Sequence, residues 1–381
     1  MNDVPRKRKA AIPNPSAPTD GEQPLPNEPM ESIAAFGEEC NADFSDEDCE
    51  LAFQHLNDPG FLYTISMKQL YQKTFAPKHS IIDGVLFSGT YILAGTPKVG
   101  KSFLVAQMAY HVSTGQPLWG YPVRQSSVLY MALEDDYARL QSRLYKMFGS
   151  EDSTDLHLTI VSKQLGNGLS EQLKTFIAKH SDTKLIIIDT LCRIREANDK
   201  FEYATDYSVI SELKQISDQY NLCMLVVHHT RKDRADDVFD MIAGTHGLMG
   251  AADGALVLWK QKRTDIKATL EIVGRDQQDQ RFFLERNEET LVWDLLDTET
   301  ELWKNPPDPI LEAISKVITA DSPKWVGSAS QLAQLIQTDK APNALTAHMN
   351  VNMGRLVDDY NIHYENCHTR SGSRLTLTLC V

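Results

Sequence analysis

The chain has 381 residues, of which 42% are hydrophobic, and a formal net charge of −14. This length and composition suffice for a large core and indicate two or three domains. No run of about 18 apolar residues occurs, so we expect a cytoplasmic protein with no membrane-spanning helix and no membrane partner. No apolar segment of a secretory signal follows the basic residues 6–9. The six cysteines lack CxxC spacing, which indicates free thiols.

Residues 1–60 carry most of the acidic excess and are rich in Pro, Asn and Glu. Chains of this composition bury too little apolar surface to fold alone, so we predict a disordered acidic tail. Two interpretations of its basic residues 6–9 stay open, a solvated segment or an arm that contacts DNA.

A different pattern begins at residue 61 and continues to residue 304. Apolar β-rich runs at 91–94, 127–133, 184–188, 222–227 and 255–258 alternate with helical patterns at 103–112, 169–179 and 208–220. Strands that are apolar throughout and alternate with helices predict an α/β fold whose parallel sheet is covered on both faces. Residues 267–273, 281–284 and 291–293 predict an antiparallel extension of that sheet.

Pro306 and Pro307 mark a linker to a smaller domain at 308–381. Helices are predicted at 308–320, from Ser328, and at 342–360, followed by strands at 362–365 and 375–379. Three helices and a terminal hairpin predict a winged-helix-like domain. Within the predicted recognition helix 342–360, the 3.6-residue period separates a buried from an outward face. The buried stripe comprises Leu345, Met349, Met353, Leu356 and Tyr360, and the outward face comprises Asn343, Thr346, Asn350 and Arg355.

The sequence from Gly95 to Ser102 matches the phosphate-binding pattern GxxxxGK[ST] between a predicted strand and a predicted helix. The pattern predicts a loop whose backbone N–H groups and helix N-terminus bind the phosphates of ATP. Lys101 supplies a positive charge to the β- and γ-phosphates, and Ser102 supplies an oxygen to Mg²⁺. The predicted nucleotide-binding residues are Gly95, Thr96, Pro97, Lys98, Val99, Gly100, Lys101, Ser102 and Phe103.

Two more strands end in acidic residues, at the edge where open α/β sheets place their chemistry. A buried strand ends at Asp189, and burial gives a carboxylate no packing advantage, so we predict that Asp189 binds Mg²⁺. Another strand ends just before Glu134, which we predict to be the general base that orients the attacking water. Asp135 and Asp136 are predicted to cap the following helix.

Together these residues resemble the RepA-type branch of the hexameric replicative helicases, within the RecA/DnaB-like ATPases. The resemblance covers residues 65 to 293, about three-fifths of the chain, and its specificity comes from the order and spacing of several motifs. Besides the P-loop these are Ile82-Asp83-Gly84, Tyr130-Met131-Ala132-Leu133-Glu134-Asp135, Ile187-Ile188-Asp189-Thr190-Leu191, Val227-His228-His229-Thr230-Arg231-Lys232 and Gly274-Arg275-Asp276.

The resemblance implies a RecA-like core and further roles. His229, where relatives often carry Gln, corresponds to a polar sensor of the γ-phosphate. The loop after it, 231–247, corresponds to a DNA-binding segment, with the alternative of a solvated charged loop. Arg275 corresponds to an arginine that reaches the nucleotide of a neighbouring subunit, with the alternative of a plain surface arginine. The candidate DNA contacts are Arg231, Lys232 and Arg234, then Arg193 and Arg195.

The resemblance favours an ATP-driven DNA helicase or translocase that replicates a plasmid, phage or other mobile element. It implies single-stranded DNA as a partner, assembly into a ring, which is a hexamer in this family, and replication proteins as further partners. The alternatives are a regulatory ATPase that gates binding without unwinding, and a strand-exchange filament. The winged-helix-like domain would dock either on duplex or origin DNA, through Arg370 and Arg374 of its wing, or on a protein.

Overall fold

A computed structural model describes residues 62, 64–75, 78–195, 203–231, 237–242, 246–275, 277–299, 306–369 and 372–380. The predicted acidic tail at 1–60 lies outside these residues. No helix in the described part of the chain has the length and apolar character needed to cross a membrane. The four cysteines within it, Cys192, Cys223, Cys367 and Cys380, are free thiols, as expected.

A nine-stranded mixed sheet forms the centre of the larger part of the chain. Its spatial order is β11-β10-β9-β8-β3-β7-β6-β4-β5, with β1 (Ser80–Ile82) and β2 (Leu86–Phe87) forming a separate hairpin. The sheet strands are β3 (Gly89–Gly95), β4 (Val128–Ala132), β5 (Leu156–Thr159), β6 (Leu185–Asp189), β7 (Cys223–His229), β8 (Gly254–Trp259), β9 (Lys267–Gly274), β10 (Gln277–Arg286) and β11 (Trp293–Thr298).

The strands from β8 to β5 are parallel, and β9, β10 and β11 extend the sheet antiparallel from β8. The expected α/β fold with an antiparallel extension is therefore confirmed. Strands β3, β4 and β6 are buried along their whole length. Two separate hydrophobic clusters, one on each face of the sheet, explain why these strands are apolar at every position.

Helices cover both faces of this sheet. Helix α1 (Met67–Gln72) precedes the sheet and has no buried residue, and the covering helices are α2 (Lys101–Thr114), α3 (Tyr137–Phe148), α4 (Leu169–Lys179), α5 (Leu191–Ile194), α6 (Tyr203–Tyr220) and α7 (His246–Ala251), with a 3₁₀ helix at Val238–Met241. Helix α2 follows the phosphate-loop sequence directly. The helical connections let successive strands run parallel, so the carboxyl ends of these strands all lie at one end of the sheet. That end positions the site described below.

The sequence prediction missed the edge strand β5 and misplaced the last strand of the extension. The run 291–293 was expected to be a strand, but β11 begins only at Trp293. The side chain of Asn287 accepts hydrogen bonds from the N–H groups of Glu289 and Thr290, and Leu291 has a left-handed φ of 65°. This turn keeps Leu291 and Val292, the two apolar residues before Trp293, out of the strand.

The C-terminal part of the chain has a hydrophobic cluster of its own. It contains a three-stranded antiparallel sheet in the order β12-β14-β13. Its elements are α8 (Pro309–Val317), β12 (Lys324–Ser328), α9 (Ala329–Leu335), α10 (Pro342–Val351), α11 (Met353–Tyr360), β13 (Ile362–Thr369) and β14 (Gly372–Leu379). Strand β12 was not expected, whereas the capping box of Ser328 and Gln331 is present.

The predicted recognition helix 342–360 is two helices, α10 and α11, separated at Asn352. The Asn352 amide donates to the carbonyl of His348 at 2.9 Å, a local bond of the kind that competes with a continuous helix. Within the predicted stripe, Leu345, Met349 and Leu356 are fully buried.

The predicted outward face of this segment is wrong at two positions. Thr346 and Asn350 are buried, at 8% and 6% exposure. The Asn350 amide donates to the carbonyl of Tyr71 in α1 at 2.9 Å, and its oxygen accepts from the Tyr364 hydroxyl at 2.9 Å. Asn350 therefore faces inward because it satisfies polar groups of two neighbouring elements.

Replacing Asn350 with Ala should lower the free energy of unfolding of the C-terminal part by about 1–3 kcal/mol, because it leaves the Tyr364 hydroxyl and the Tyr71 carbonyl without this partner. Denaturant unfolding followed by circular dichroism measures the change. Asn343→Ala, at an exposed position of the same helix, is the matched control and should change stability by less than about 0.5 kcal/mol. Equal effects of the two substitutions would contradict the bridging role of Asn350.

Candidate nucleotide-binding site

The phosphate-loop sequence connects β3 to α2 as a tight turn. Strand β3 ends at Gly95, and α2 begins at Lys101. Lys98 and Gly100 have left-handed φ values of 67° and 117°. A Cβ atom on Gly95 would lie 2.5 Å from the carbonyl oxygen of Leu258, so only glycine fits between the two strands. Residues 96–98 are exposed at the tip, where a phosphate group can reach the backbone N–H groups.

The Lys101 side chain curls back under this loop. Its ammonium donates to the carbonyl oxygens of Gly95 at 2.7 Å and Thr96 at 3.1 Å, and the residue is only 6% exposed. Burial lowers the pKa of Lys101 to about 8, against the opposing charges of Asp189 and Glu134. The Lys101 ammonium is thus a buried cation whose protein partners include two neutral carbonyls. An anionic ligand would stabilise its charge, so this geometry suits phosphate.

Ser102 and Asp189 lie side by side at the end of β6. The Asp189 carboxyl is hydrogen-bonded to the Ser102 side chain, and its second partner is the Tyr130 hydroxyl at 3.2 Å. Burial raises the pKa of Asp189, and the two hydrogen bonds oppose that rise. A hydroxyl and a carboxylate beside a phosphate loop fit Mg²⁺, which prefers oxygen ligands and commonly uses few protein groups. Within the described residues, no cluster of three or more His, Cys, Asp or Glu forms another metal site.

Glu134 lies beyond the neighbouring strand β4, whose Ala132 pairs with Asp189. It is exposed, and its carboxylate accepts a hydrogen bond from the Thr190 hydroxyl at 2.9 Å. A carboxylate that is open to solvent and held on one side can face a water molecule at the phosphate loop.

The two acids after Glu134 have different roles. Asp136 is the N-cap of α3 and accepts from the N–H of Arg139 at 2.8 Å, as predicted. Asp135 was also expected to cap this helix, and this is wrong. It forms ion pairs with Arg143 at 2.7 Å and Arg139 at 3.4 Å instead. Its carboxylate is thereby engaged by two arginines of α3.

His229 ends β7, the strand that lies between β3 and β6. The parallel register pairs it with Gly95, the first residue of the phosphate loop. Its Nδ1 atom lies 3.4 Å from the Lys101 ammonium. Burial and the charge of Lys101 lower the pKa of His229, so the neutral ring can accept a hydrogen bond from Lys101.

Arg275 lies at the other end of the strands, where the parallel strands begin. It follows Gly274, which pairs with Gly254 at the start of β8, whereas the phosphate loop follows the end of β3. Its guanidinium donates to the carbonyl of Gly250 at 2.8 Å, lies 3.9 Å from the Asp253 carboxylate, and is 55% exposed. Arg275 therefore cannot reach the phosphate loop of its own chain.

The predicted DNA contacts are dispersed. Arg195 is buried in an ion pair with Asp206 at 2.6 Å, which removes it from the exposed candidates. Arg193 is exposed and donates to the Leu133 carbonyl at 3.0 Å, and Arg231 is exposed at the start of the predicted DNA-binding loop. Lys232 and Arg234 of that loop, like Arg370 of the wing, lie outside the described residues, whereas Arg374 is exposed.

Sequence reasoning did not assign roles to Tyr130 and Thr190, which hold the Asp189 and Glu134 carboxylates. Both residues stand inside motifs that carried the resemblance. The signal in the sequence was a hydroxyl-bearing residue close to each predicted acid. Thr190 directly follows Asp189, and Tyr130 lies on the strand that leads to Glu134.

Residues 62–235 match the family described as AAA domain. Among solved structures, a KaiC-like protein from Pyrococcus horikoshii OT3 is 14% identical, with a TM-score of 0.41 over 58% of this chain and all of that chain. A DnaB-like replicative helicase, solved to show its interactions with primase, is 13% identical, with a TM-score of 0.49 over 70% of this chain and 75% of that chain. No curated protein matches. The AAA-domain match and the phosphate loop place a P-loop ATPase domain in this part of the chain.

The lowered pKa of Lys101 predicts how nucleotide affinity depends on pH. Because phosphate binds the charged ammonium, affinity for ATP should fall as the pH rises through about 8. Well above that pH the loss approaches about tenfold per unit. Calorimetric titration with a non-hydrolysable ATP analogue and Mg²⁺ measures it. Lys101→Arg is the control, because its guanidinium stays charged and should remove this dependence. A wild-type affinity that stays flat to about pH 9.5 would refute the assignment.

Proposed function

We propose that this chain is an ATP-driven DNA helicase or translocase that works as a ring of identical subunits. The observation that carries the proposal is the division of the ATPase residues between two edges of one sheet. Lys101, Ser102, Glu134, Asp189 and His229 gather at the carboxyl edge, while the exposed Arg275 lies at the other. A site completed by Arg275 therefore needs a second subunit.

At the carboxyl edge, each side chain has a separate task in ATP hydrolysis. Lys101 exchanges its carbonyl partners for phosphate oxygens and neutralises the charge that develops on them. Ser102 and Asp189 would hold Mg²⁺, which supplies further charge neutralisation at the phosphates. Glu134, oriented by Thr190, accepts the proton of the attacking water.

His229 connects hydrolysis to DNA. Its hydrogen-bond distance to Lys101 means that a γ-phosphate bound to Lys101 competes directly with the imidazole. Loss of that phosphate returns Lys101 to His229. The loop from Arg231 follows within two residues, so a change at His229 is transmitted to the predicted single-stranded DNA contacts at Arg231, Lys232 and Arg234.

Arg275 is held in a position suited to action in trans. The Gly250 carbonyl and the Asp253 carboxylate hold one side of its guanidinium, and the side chain is 55% exposed, which leaves room for a contact with a neighbouring subunit. An arginine supplied by a neighbour stabilises charge on the transferring phosphoryl group. A heterologous contact of this kind gives a ring when its rotation closes and a filament when it does not, and we propose a closed ring of six subunits.

The sequence resemblance, rather than the site geometry, supports a role in replicating a plasmid, phage or other mobile element with partner replication proteins. We further propose that the winged-helix-like part docks on duplex or origin DNA. The exposed Arg374 on β14 supports this, together with Arg370 of the predicted wing.

Replacing Glu134 with Gln tests the chemistry and the function together. The amide keeps the shape and the hydrogen bond from Thr190 but cannot accept a proton. ATP should therefore bind with little change, while kcat falls at least about 100-fold and unwinding of a forked duplex stops. Steady-state ATPase and strand-displacement assays measure the two effects.

Glu288→Gln, the same change at an exposed loop position, is the matched control and should retain both activities. Undiminished hydrolysis by the Glu134 variant would remove Glu134 from the mechanism. A wild-type chain that hydrolyses ATP but never displaces a strand would instead favour the regulatory ATPase.

Mixing two inactive variants tests the action of Arg275 in trans. Arg275→Ala and Lys101→Ala should each lose most ATPase activity alone. In a one-to-one mixture, about a quarter of the interfaces pair an intact Lys101 with an intact Arg275, so activity should recover to about a quarter of wild type.

Arg263→Ala, at another exposed arginine, is the control for charge removal and should keep full activity. Mixed oligomers that remain inactive, although light scattering shows that they form, would contradict a shared site. A chain that stays monomeric with ATP and DNA would contradict the ring.

A further inference from the structure

Trp293, the first residue of β11, is fully buried against the phosphate loop. It lies on the far edge strand of the sheet, four strands from β3 in the sheet order. Nevertheless its indole N–H donates to the carbonyl oxygen of Gly100 at 3.3 Å. A Cβ atom on Gly100 would lie 2.6 Å from the indole ring. The ring therefore packs directly on the last glycine of the loop.

The backbone of Trp293 is clamped by helix α2, which starts at the same loop. The buried Gln107 side chain accepts from the Trp293 N–H at 2.8 Å and donates to the Trp293 carbonyl at 2.9 Å. The Trp119 indole donates to that carbonyl as well, at 2.7 Å. Trp293 thus cannot shift without breaking buried hydrogen bonds, each of which is costly to leave unmade.

The contact at Gly100 adds to the bonds that hold a peptide group of the nucleotide site, since the same carbonyl accepts from the N–H groups of Phe103 at 3.2 Å and Leu104 at 3.1 Å. In a trans peptide the carbonyl of one residue and the N–H of the next point in opposite directions. Holding the Gly100 carbonyl against the indole therefore turns the N–H of Lys101 to the opposite side of the peptide. Backbone N–H groups of this loop are the groups that bind phosphate.

We propose that Trp293, clamped by Gln107, is a positioning residue of the nucleotide site that sets ATP affinity by holding the Gly100–Lys101 peptide. This inference rests on the proposed ATPase function. We expect the same contact when ATP is bound in its ground state and in the transition state, so it contributes equally to the binding of both. Losing it raises KM and leaves kcat unchanged. Because the indole contacts the loop, we expect nucleotide binding to change its fluorescence.

Trp293→Phe keeps an aromatic ring and removes the N–H donor. We expect the Kd for a non-hydrolysable ATP analogue, and the KM for ATP, to rise about three- to tenfold with kcat within about twofold of wild type. The change in tryptophan emission on nucleotide binding should disappear. Gln107→Met is the second variant, because it releases the Trp293 backbone without touching the loop, and it should raise the same two constants.

Trp325→Phe, in the C-terminal part, is the matched control and should keep both the affinity and the emission change. A folded Trp293→Phe protein with wild-type Kd and KM would overturn the inference. So would variants of Trp293 and Gln107 that both lose the fold by circular dichroism, since the pair would then serve the core alone. If wild type binds nucleotide by calorimetry, such a failure leaves the proposed function standing, whereas a wild type that binds none overturns both.

Discussion

The buried ammonium of Lys101 is the constraint on which the nucleotide site depends. Its nearest partners, the carbonyls of Gly95 and Thr96 and the ring of His229, are neutral, and the carboxylates of Asp189 and Glu134 act from further away. Burial without a close counter-ion is what lowers its pKa, and it is also what makes an incoming phosphate favourable. Every other residue at this edge is arranged around that charge.

Parallel pairing explains how residues so distant in sequence reach Lys101. The register places Ala132 beside Asp189 and Asp189 beside Val227, while Gly95 pairs with His229 two residues further on. Asp189 therefore lies level with Ala132 and Val227, and Glu134 and His229 each follow two residues beyond that level, on either side of β6. A slip of one residue in any strand would turn its acid or imidazole to the wrong face, which would remove it from the site.

These features explain which parts of the site the sequence could predict. Lys101, Ser102, Asp189 and Glu134 stand in local patterns whose chemistry is specific, and parallel strands bring such patterns together without further information. Trp293 could not be predicted, because its role comes from a contact between the far edge strand and the phosphate loop. The inward direction of Asn350 depends in the same way on Tyr71 and Tyr364, which periodicity within one helix does not register.

The antiparallel extension has a use that a parallel core alone would not supply. Strand β9 runs down to Arg275 at the edge away from the phosphate loop, β10 returns, and β11 begins with Trp293 back at the loop. These three strands thus carry both Trp293, which packs on the chain's own phosphate loop, and Arg275, which we propose to act at a neighbour's site. At the lower edge, Asp253 accepts from the Thr90 N–H at the start of β3, binds Lys214 at 2.5 Å, and accepts the Arg275 N–H through its carbonyl. The strand that ends in the phosphate loop is therefore bonded at its other end to Asp253, which also holds Arg275, so β3 and Asp253 connect the phosphate loop to the arginine that we propose to act in trans.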